Sequence, residues 1–177
     1  MTSSLSFDIS LESPEDVAGI HTVNREAFEG GGEAHLVDQL RADCTVFISY
    51  VAKAEGIVVG HILLTPVLIE QETGAVVEGL GLGPMAVKPE FQRMGIGSEL
   101  VTAALNSIRT TAVPFVVVLG HPDFYPKFGF VPASRFGVRC AFDGVPDGVF
   151  MMIILKQDRM RDVRGIARYR AEFDVVT

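Results

Sequence analysis

The segment Val87-Lys88-Pro89-Glu90-Phe91-Gln92-Arg93-Met94-Gly95-Ile96-Gly97-Ser98 holds the residue types most suited to chemistry. Pro89 closes an extended run, and an apolar stripe at Ile96, Leu100, Val101, Ala104, Leu105 and Ile108 follows at once. That spacing predicts an amphipathic helix from Ile96 to Arg109. A helix opening at such a loop presents unpaired N–H groups and the positive end of its dipole, a ready site for a phosphate-like anion. Gly95 and Gly97 remove side chains where an anion would approach backbone, and Arg93 adds a fixed positive charge. The same glycines would serve a plain turn, so the residues alone leave both readings open.

Competing site chemistries fare worse. A Walker loop needs Gly-Lys, and that pair does not occur in the chain. Gly81-Leu82-Gly83-Pro84-Met85-Ala86 fits the string G-x-G-x-x-[GA], but β-like residues and then Pro89 follow it where a dinucleotide fingerprint must open a helix. Cys44 and Cys140 are too far apart for a zinc motif and are expected to be two thiols in a reducing compartment, with no metal.

The elements that must position the loop follow from periodicity and turn residues. Leu5 to Ser10 alternates as a first strand. Ser13-Pro14-Glu15-Asp16 starts a helix that runs to about Phe28, with Ser13 capping its free amides. Gly30-Gly31-Gly32 breaks it, and Glu33 to Asp43 forms a second helix on Leu36, Val37 and Leu40. Thr45 to Lys53 and Ile57 to Glu70 read as a hairpin across Ala54-Glu55-Gly56. A strand over about Gly81 to Val87 precedes the loop. After the long helix come a doubly buried strand at Phe115 to Leu119, a short helix at Pro122 to Phe128, and strands near Gly137 to Phe142 and Val149 to Leu155. The tail from Lys156 to Thr177 is charged and has no clear period. The order is that of a single mixed α/β layer structure.

Composition bounds the rest. The chain has 177 residues, 48% of them apolar and 21% charged, enough for a sizeable core in about one domain. Lys plus Arg number 15 against 22 Asp plus Glu, a net charge of −7, which argues against nucleic acid as a partner. The first residues lack a signal-peptide pattern, and the apolar runs are far shorter than the ~20 residues of a membrane span. The expected location is cytoplasmic, away from membranes.

Gln92-Arg93-Met94-Gly95-Ile96-Gly97 resembles the Q/R-x-x-G-x-[GA] signature of the GNAT N-acetyltransferases. Gly83-Pro84-Met85-Ala86-Val87-Lys88-Pro89-Glu90 is similar to that family's fourth strand and its exit, and Tyr125-Pro126-Lys127-Phe128-Gly129-Phe130 to its Y-x-K-x-G-F motif. The resemblance covers about residues 5–155, with 156–177 as an extension of the same single domain. It implies a mixed, mostly antiparallel sheet of six to seven strands flanked by helices and splayed at strands four and five.

The resemblance also implies acetyl-coenzyme A as cosubstrate. Gln92, Arg93, Met94, Gly95, Ile96, Gly97 and Ser98 would take its pyrophosphate. Its pantetheine arm would lie along Met85, Ala86 and Val87 like an added strand. Tyr125 matches the tyrosine that returns a proton to the leaving thiolate. Glu33, after the glycine loop, and His121, after the fifth strand, are candidate bases, with Glu78 a third. The expected reaction is direct attack by a primary amine, most simply of a small molecule. The alternatives are an acyl-CoA sensor without turnover, another acyl donor, or a protein amine. The family often dimerises, so a homodimer through an exposed edge or the charged tail is a further expectation.

Overall fold

The computed structural model of the chain describes residues 6–175. Leu5, where the first strand is expected to begin, lies outside them, and strand β1 is Asp8–Leu11. Helices α1 (Val17–Ala27) and α2 (Gly32–Asp43) follow, then strands β2 (Ile48–Ala54), β3 (Ile57–Glu70) and β4 (Val76–Val87). Helix α3 (Ile96–Ile108) leads to β5 (Phe115–Leu119), β6 (Val131–Pro132), β7 (Val138–Cys140) and β8 (Phe150–Ile154). The short helix α4 (Gln157–Met160) and strand β9 (Gly165–Arg168) come last. Strand neighbours run β1-β2-β3-β4-β5-β8-β6, with β9 beside both β3 and β7. The sheet is mixed: β4–β5 and β7–β9 are parallel, while β1–β2, β2–β3, β3–β9, β5–β8 and β6–β8 are antiparallel.

Among the described residues the sheet has nine strands, where six or seven are expected. One addition, Val131–Pro132, is too short to leave a periodic signal. The other, Gly165–Arg168, lies in the charged tail and is recruited by its partners: Leu68, Ile69 and Glu70 of β3 on one side and β7 on the other. The tail also buries Met160, Ala167 and Phe173, and Arg168 Nε donates to Glu70 Oε2 at 2.6 Å.

Contacts divide the chain into two units. One holds the residues up to Leu64 with Pro84–Asn106, the other Thr65–Gly83 with Ser107–Val175. In the first, α1 buries Ile20 and Val23, and α2 buries Ala34, Leu36, Val37 and Leu40. All six residues of the predicted α3 stripe are 3% exposed or less. Burying each large apolar side chain contributes roughly 1.5–3 kcal/mol, so the helix that starts at the glycine loop is firmly anchored. The start of α1 departs from expectation. Pro14–Asp16 form a 3-10 turn, and both the Ser13 N–H and its hydroxyl donate to the Asp16 carboxylate at 2.9 Å. Burial alone would raise the Asp16 carboxyl, but Lys53 Nζ at 2.7 Å and the two Ser13 donors outweigh it and hold the group low.

In the second unit β5 is apolar throughout because it has a strand on each side, β4 and β8, and Phe115 to Val118 are wholly buried. Val67, Ile69, Val117, Phe150, Met152 and Ala167 complete that core. The parallel register between β4 and β5 covers only Leu80–Leu82 and Val116–Val118. Beyond it β4 continues to Val87 with no registered β5 residue among those described.

Candidate functional site

The loop after β4 is built from backbone upward. The Lys88 N–H donates to Val59 O at 2.9 Å, fixing the strand exit, and Pro89–Phe91 make a 3-10 turn. The Gln92 side-chain amide reaches back to Val87 O at 3.1 Å. Arg93 and Gly95 then adopt left-handed backbone, with φ of 63° and 90°. Glycine takes that conformation without steric penalty, whereas Arg93 does not, so the loop stores some strain there. The turn brings Gly95 O back to accept from Ser98 N at 3.0 Å and Glu99 N at 3.1 Å, which starts α3. Between these closures, the N–H groups of Arg93, Met94, Gly95, Ile96 and Gly97 have no acceptor among the described residues. Five successive open donors at a helix start are an arrangement able to hold an anion. Gln92 N–H, by contrast, donates to Pro89 O at 3.3 Å, and Ser98 N–H is closed within the loop. Upstream, Met85 and Val87 are half-buried and Ala86 is buried. The string Gly81 to Ala86 lies wholly inside β4, which removes the dinucleotide reading.

Tyr125 lies in the second unit. The helix expected from Pro122 is a 3-10 turn over Tyr125–Phe128, closed by Gly129 N–H to Pro126 O. Tyr125 is 5% exposed, edge-on to Phe124 and Phe130 at ring distances of 5.0 and 5.7 Å. Its ring covers Gly120, where any Cβ would collide with it. Burial pushes its hydroxyl up to about 12, so it is protonated throughout the physiological range. His121 belongs to the same turn, its carbonyl accepting from Phe124 N at 3.0 Å, and its side chain is exposed. Lys127 Nζ sits 4.1 Å from the centre of the Phe124 ring. Glu33 is half-buried in the first turn of α2, and Glu78 is exposed on β4. Among the described residues, the side chains of Glu33, Glu78 and His121 make no hydrogen bond or ion pair.

Two polar features escape the sequence reading. The first is His61, fully buried on β3. Its Nδ1 lies 3.0 Å from Asn24 Nδ2, and its Nε2 lies 3.0 Å from Ser49 Oγ. Ser49 donates in turn to Glu12, which receives Arg41 through both oxygens at 3.2 and 2.9 Å. Burial, then the Arg41 charge, pushes His61 down to about 3, so the ring is neutral and accepts from Asn24 while donating to Ser49. The second is Tyr169, just after β9, whose hydroxyl is buried without a partner. An isolated histidine in an apolar run is the visible trace of the first; nothing in the tail marks the second.

Comparison with known proteins places the chain among acyltransferases of the GNAT class. The "Acetyltransferase (GNAT) domain" pattern matches residues 45–132. The N-acetyltransferase YhbS of Escherichia coli K12 is 32% identical over 167 residues, covering 94% of this chain and 98% of that protein. The chain therefore belongs to the GNAT N-acetyltransferase family. The crystal structure of Escherichia coli YhbS in complex with CoA has a TM-score of 0.89 at 30% identity, covering 100% of this chain and 97% of that one. A GNAT family acetyltransferase from Brucella melitensis in complex with acetyl-CoA has a TM-score of 0.77 at 31% identity, covering 96% and 99%.

Proposed function

We propose that this chain transfers the acetyl group of acetyl-CoA to a primary amine of a small molecule by direct attack. The observation that carries the reading is the run of five unpartnered amides from Arg93 to Gly97 at the start of α3. They fit a diphosphate, and the two relatives above were solved with CoA or acetyl-CoA. In this reading Arg93 to Gly97 take the diphosphate, and the Gln92 side chain and the Ser98 N–H hold the loop in shape. The strand stretch Met85, Ala86 and Val87 pairs with the pantetheine amides, and a backbone N–H there donates to the thioester oxygen as it becomes anionic. Such a preorganised donor contributes roughly 3 kcal/mol.

A free alkyl amine of pKa about 10.4 must lose a proton at neutral pH, which costs roughly 4–5 kcal/mol and calls for a base. Glu33 and His121 are the proposed bases. Tyr125 is the proposed acid for the departing sulfur. The whole chain would act as one transferase domain in the cytoplasm, consistent with its two unpaired cysteines; a homodimer is the proposed assembly. Calorimetry with acetyl-CoA and thiol release with a panel of polyamines, amino acids and aminoglycosides test the reading together. Binding plus amine-dependent release supports it. Binding without release for any amine would make the chain a CoA sensor.

A further inference from the structure

Three constraints of the first unit meet at the dipeptide Val87-Lys88. The Lys88 N–H donates to Val59 O of β3 at 2.9 Å, and Val87 O accepts from the Gln92 side chain at 3.1 Å. The third reaches α1: Lys88 Nζ lies 3.5 Å from Glu26 Oε2, in the last turn of that helix. The Lys88 side chain is only 17% exposed and that of Glu26 37%. Lysines are rarely covered to that extent without a charge partner. Glu26 needs one as well, because a carboxylate near the C-terminal end of a helix opposes the helix dipole. Just beyond Glu26, α1 ends at Ala27 and Phe28 leaves helical backbone. The chain then turns on Gly30 and Gly31, with φ of 89° and 71°. A Cβ at Gly30 would meet nothing within 4 Å, so the turn is loosely packed there. Among the described residues, the backbone of this turn is closed outside the helices only by His35 N–H to Gly31 O at 3.4 Å. Glu33, a proposed base, follows in the first turn of α2.

We infer that the Lys88–Glu26 ion pair is a strut that fixes the α1–α2 turn to the exit of β4, and so sets Glu33 against the strand stretch proposed for the pantetheine arm. Lys88 and Glu26 are positioning residues: they act through Glu33. The inference rests on the proposed roles of Glu33 and of Met85, Ala86 and Val87, and goes beyond them by naming what holds the two in register. A base works only within hydrogen-bond reach of the proton it takes, and a misplacement of about 1 Å can slow a reaction on the order of 100-fold. Glycines at 30 and 31 leave the turn free to adopt many backbone states, and a charge pair at its α1 end removes part of that freedom. Lys88 suits the task because its own backbone is already tied to Val59, and the loop is tied beside it through Gln92. The pair therefore links the base side of the unit to its cofactor side through one side-chain contact.

The test uses Lys88→Met, which keeps the stem and removes the charge, and Glu26→Gln, a mild change at the more exposed partner. Amide exchange of Ala27, Phe28 and His35 reads the turn directly, with no substrate present. Each single variant should speed that exchange about 5- to 10-fold, and the double variant no further, because both remove the same contact. Lys88→Arg, which keeps the charge, should leave it slow. CoA affinity by calorimetry should stay within about twofold in every variant. With the fastest amine of the panel above, kcat should fall roughly 10-fold in each single variant at unchanged KM for acetyl-CoA. Unchanged exchange in Lys88→Met and Glu26→Gln overturns the inference. A loss of CoA affinity of about tenfold in Lys88→Met alone also overturns it, by making Lys88 a phosphate contact. Faster exchange with kcat kept would reduce the pair to a structural role and overturn it too. If the unmodified chain releases no thiol with any amine, the transferase reading fails separately, and exchange still decides whether the pair holds the turn.

Discussion

Around His61 the polar side chains form one connected network, in which Asn24 Oδ1 and Arg41 Nη1 are buried without a hydrogen-bond partner. Both ring nitrogens have partners, the Ser49 hydroxyl is shared, and Glu12 is held by Arg41. In the same unit, the loop from Arg93 to Gly97 leaves five successive N–H groups open. The first arrangement joins β1's exit, α1, α2, β2 and β3. The second does little for the fold beyond starting α3 and leaves its backbone donors open. The two differ in what is left open: single side-chain atoms in the first, a continuous run of backbone donors in the second.

The comparison breaks most visibly at the loop. Gly97→Leu should weaken CoA binding at least ~100-fold by calorimetry, about 2.7 kcal/mol, with little change in melting temperature. A large loss of stability with affinity kept would mean the loop is structural. Tyr125→Phe should slow thiol release roughly 10- to 1,000-fold with CoA affinity nearly intact. Equal losses in both would assign Tyr125 to packing.

His61 should behave in the opposite way. Its pKa is about 3 in the folded chain against about 6.5 when unfolded, so the unfolded state binds the extra proton between those values. Its contribution is complete above about pH 6.5 and is lost as pH falls toward 3, at up to ~1.4 kcal/mol per pH unit. Denaturant titrations at several pH values measure that slope. His61→Leu should remove most of it between pH 6.5 and 4.5 and destabilise the chain at neutral pH by roughly 2–4 kcal/mol, while its folded fraction binds CoA within about threefold of wild type. The smallest effect is expected at Gln92→Ala, which loses only the bond to Val87 O and should lower CoA affinity by about two- to fivefold.

The parts legible in the sequence are those where local pattern and environment coincide. The α3 stripe, β3 from Ile57 to Glu70 and β5 from Phe115 to Leu119 fall as read, because each carries its burial in its own periodicity. The loop's turn was legible because its glycines and the helix that follows are both marked in the local sequence. Three features were hidden for one common reason: their partners are distant in sequence. His61 reads as a stray polar residue until Asn24 and Ser49 are beside it. Gly165–Arg168 is a strand only because β3 and β7 flank it. Tyr169 lies among charged residues, and Gly81, which admits its ring, reads only as the start of the strand before the loop.

The most direct test of the central claim is an amide NMR titration of the isotope-labelled chain with CoA. The account predicts that the N–H resonances of Arg93, Met94, Gly95, Ile96 and Gly97 move furthest and are lost as reporters in Gly97→Leu. Saturable CoA binding that leaves those five resonances in place would contradict it.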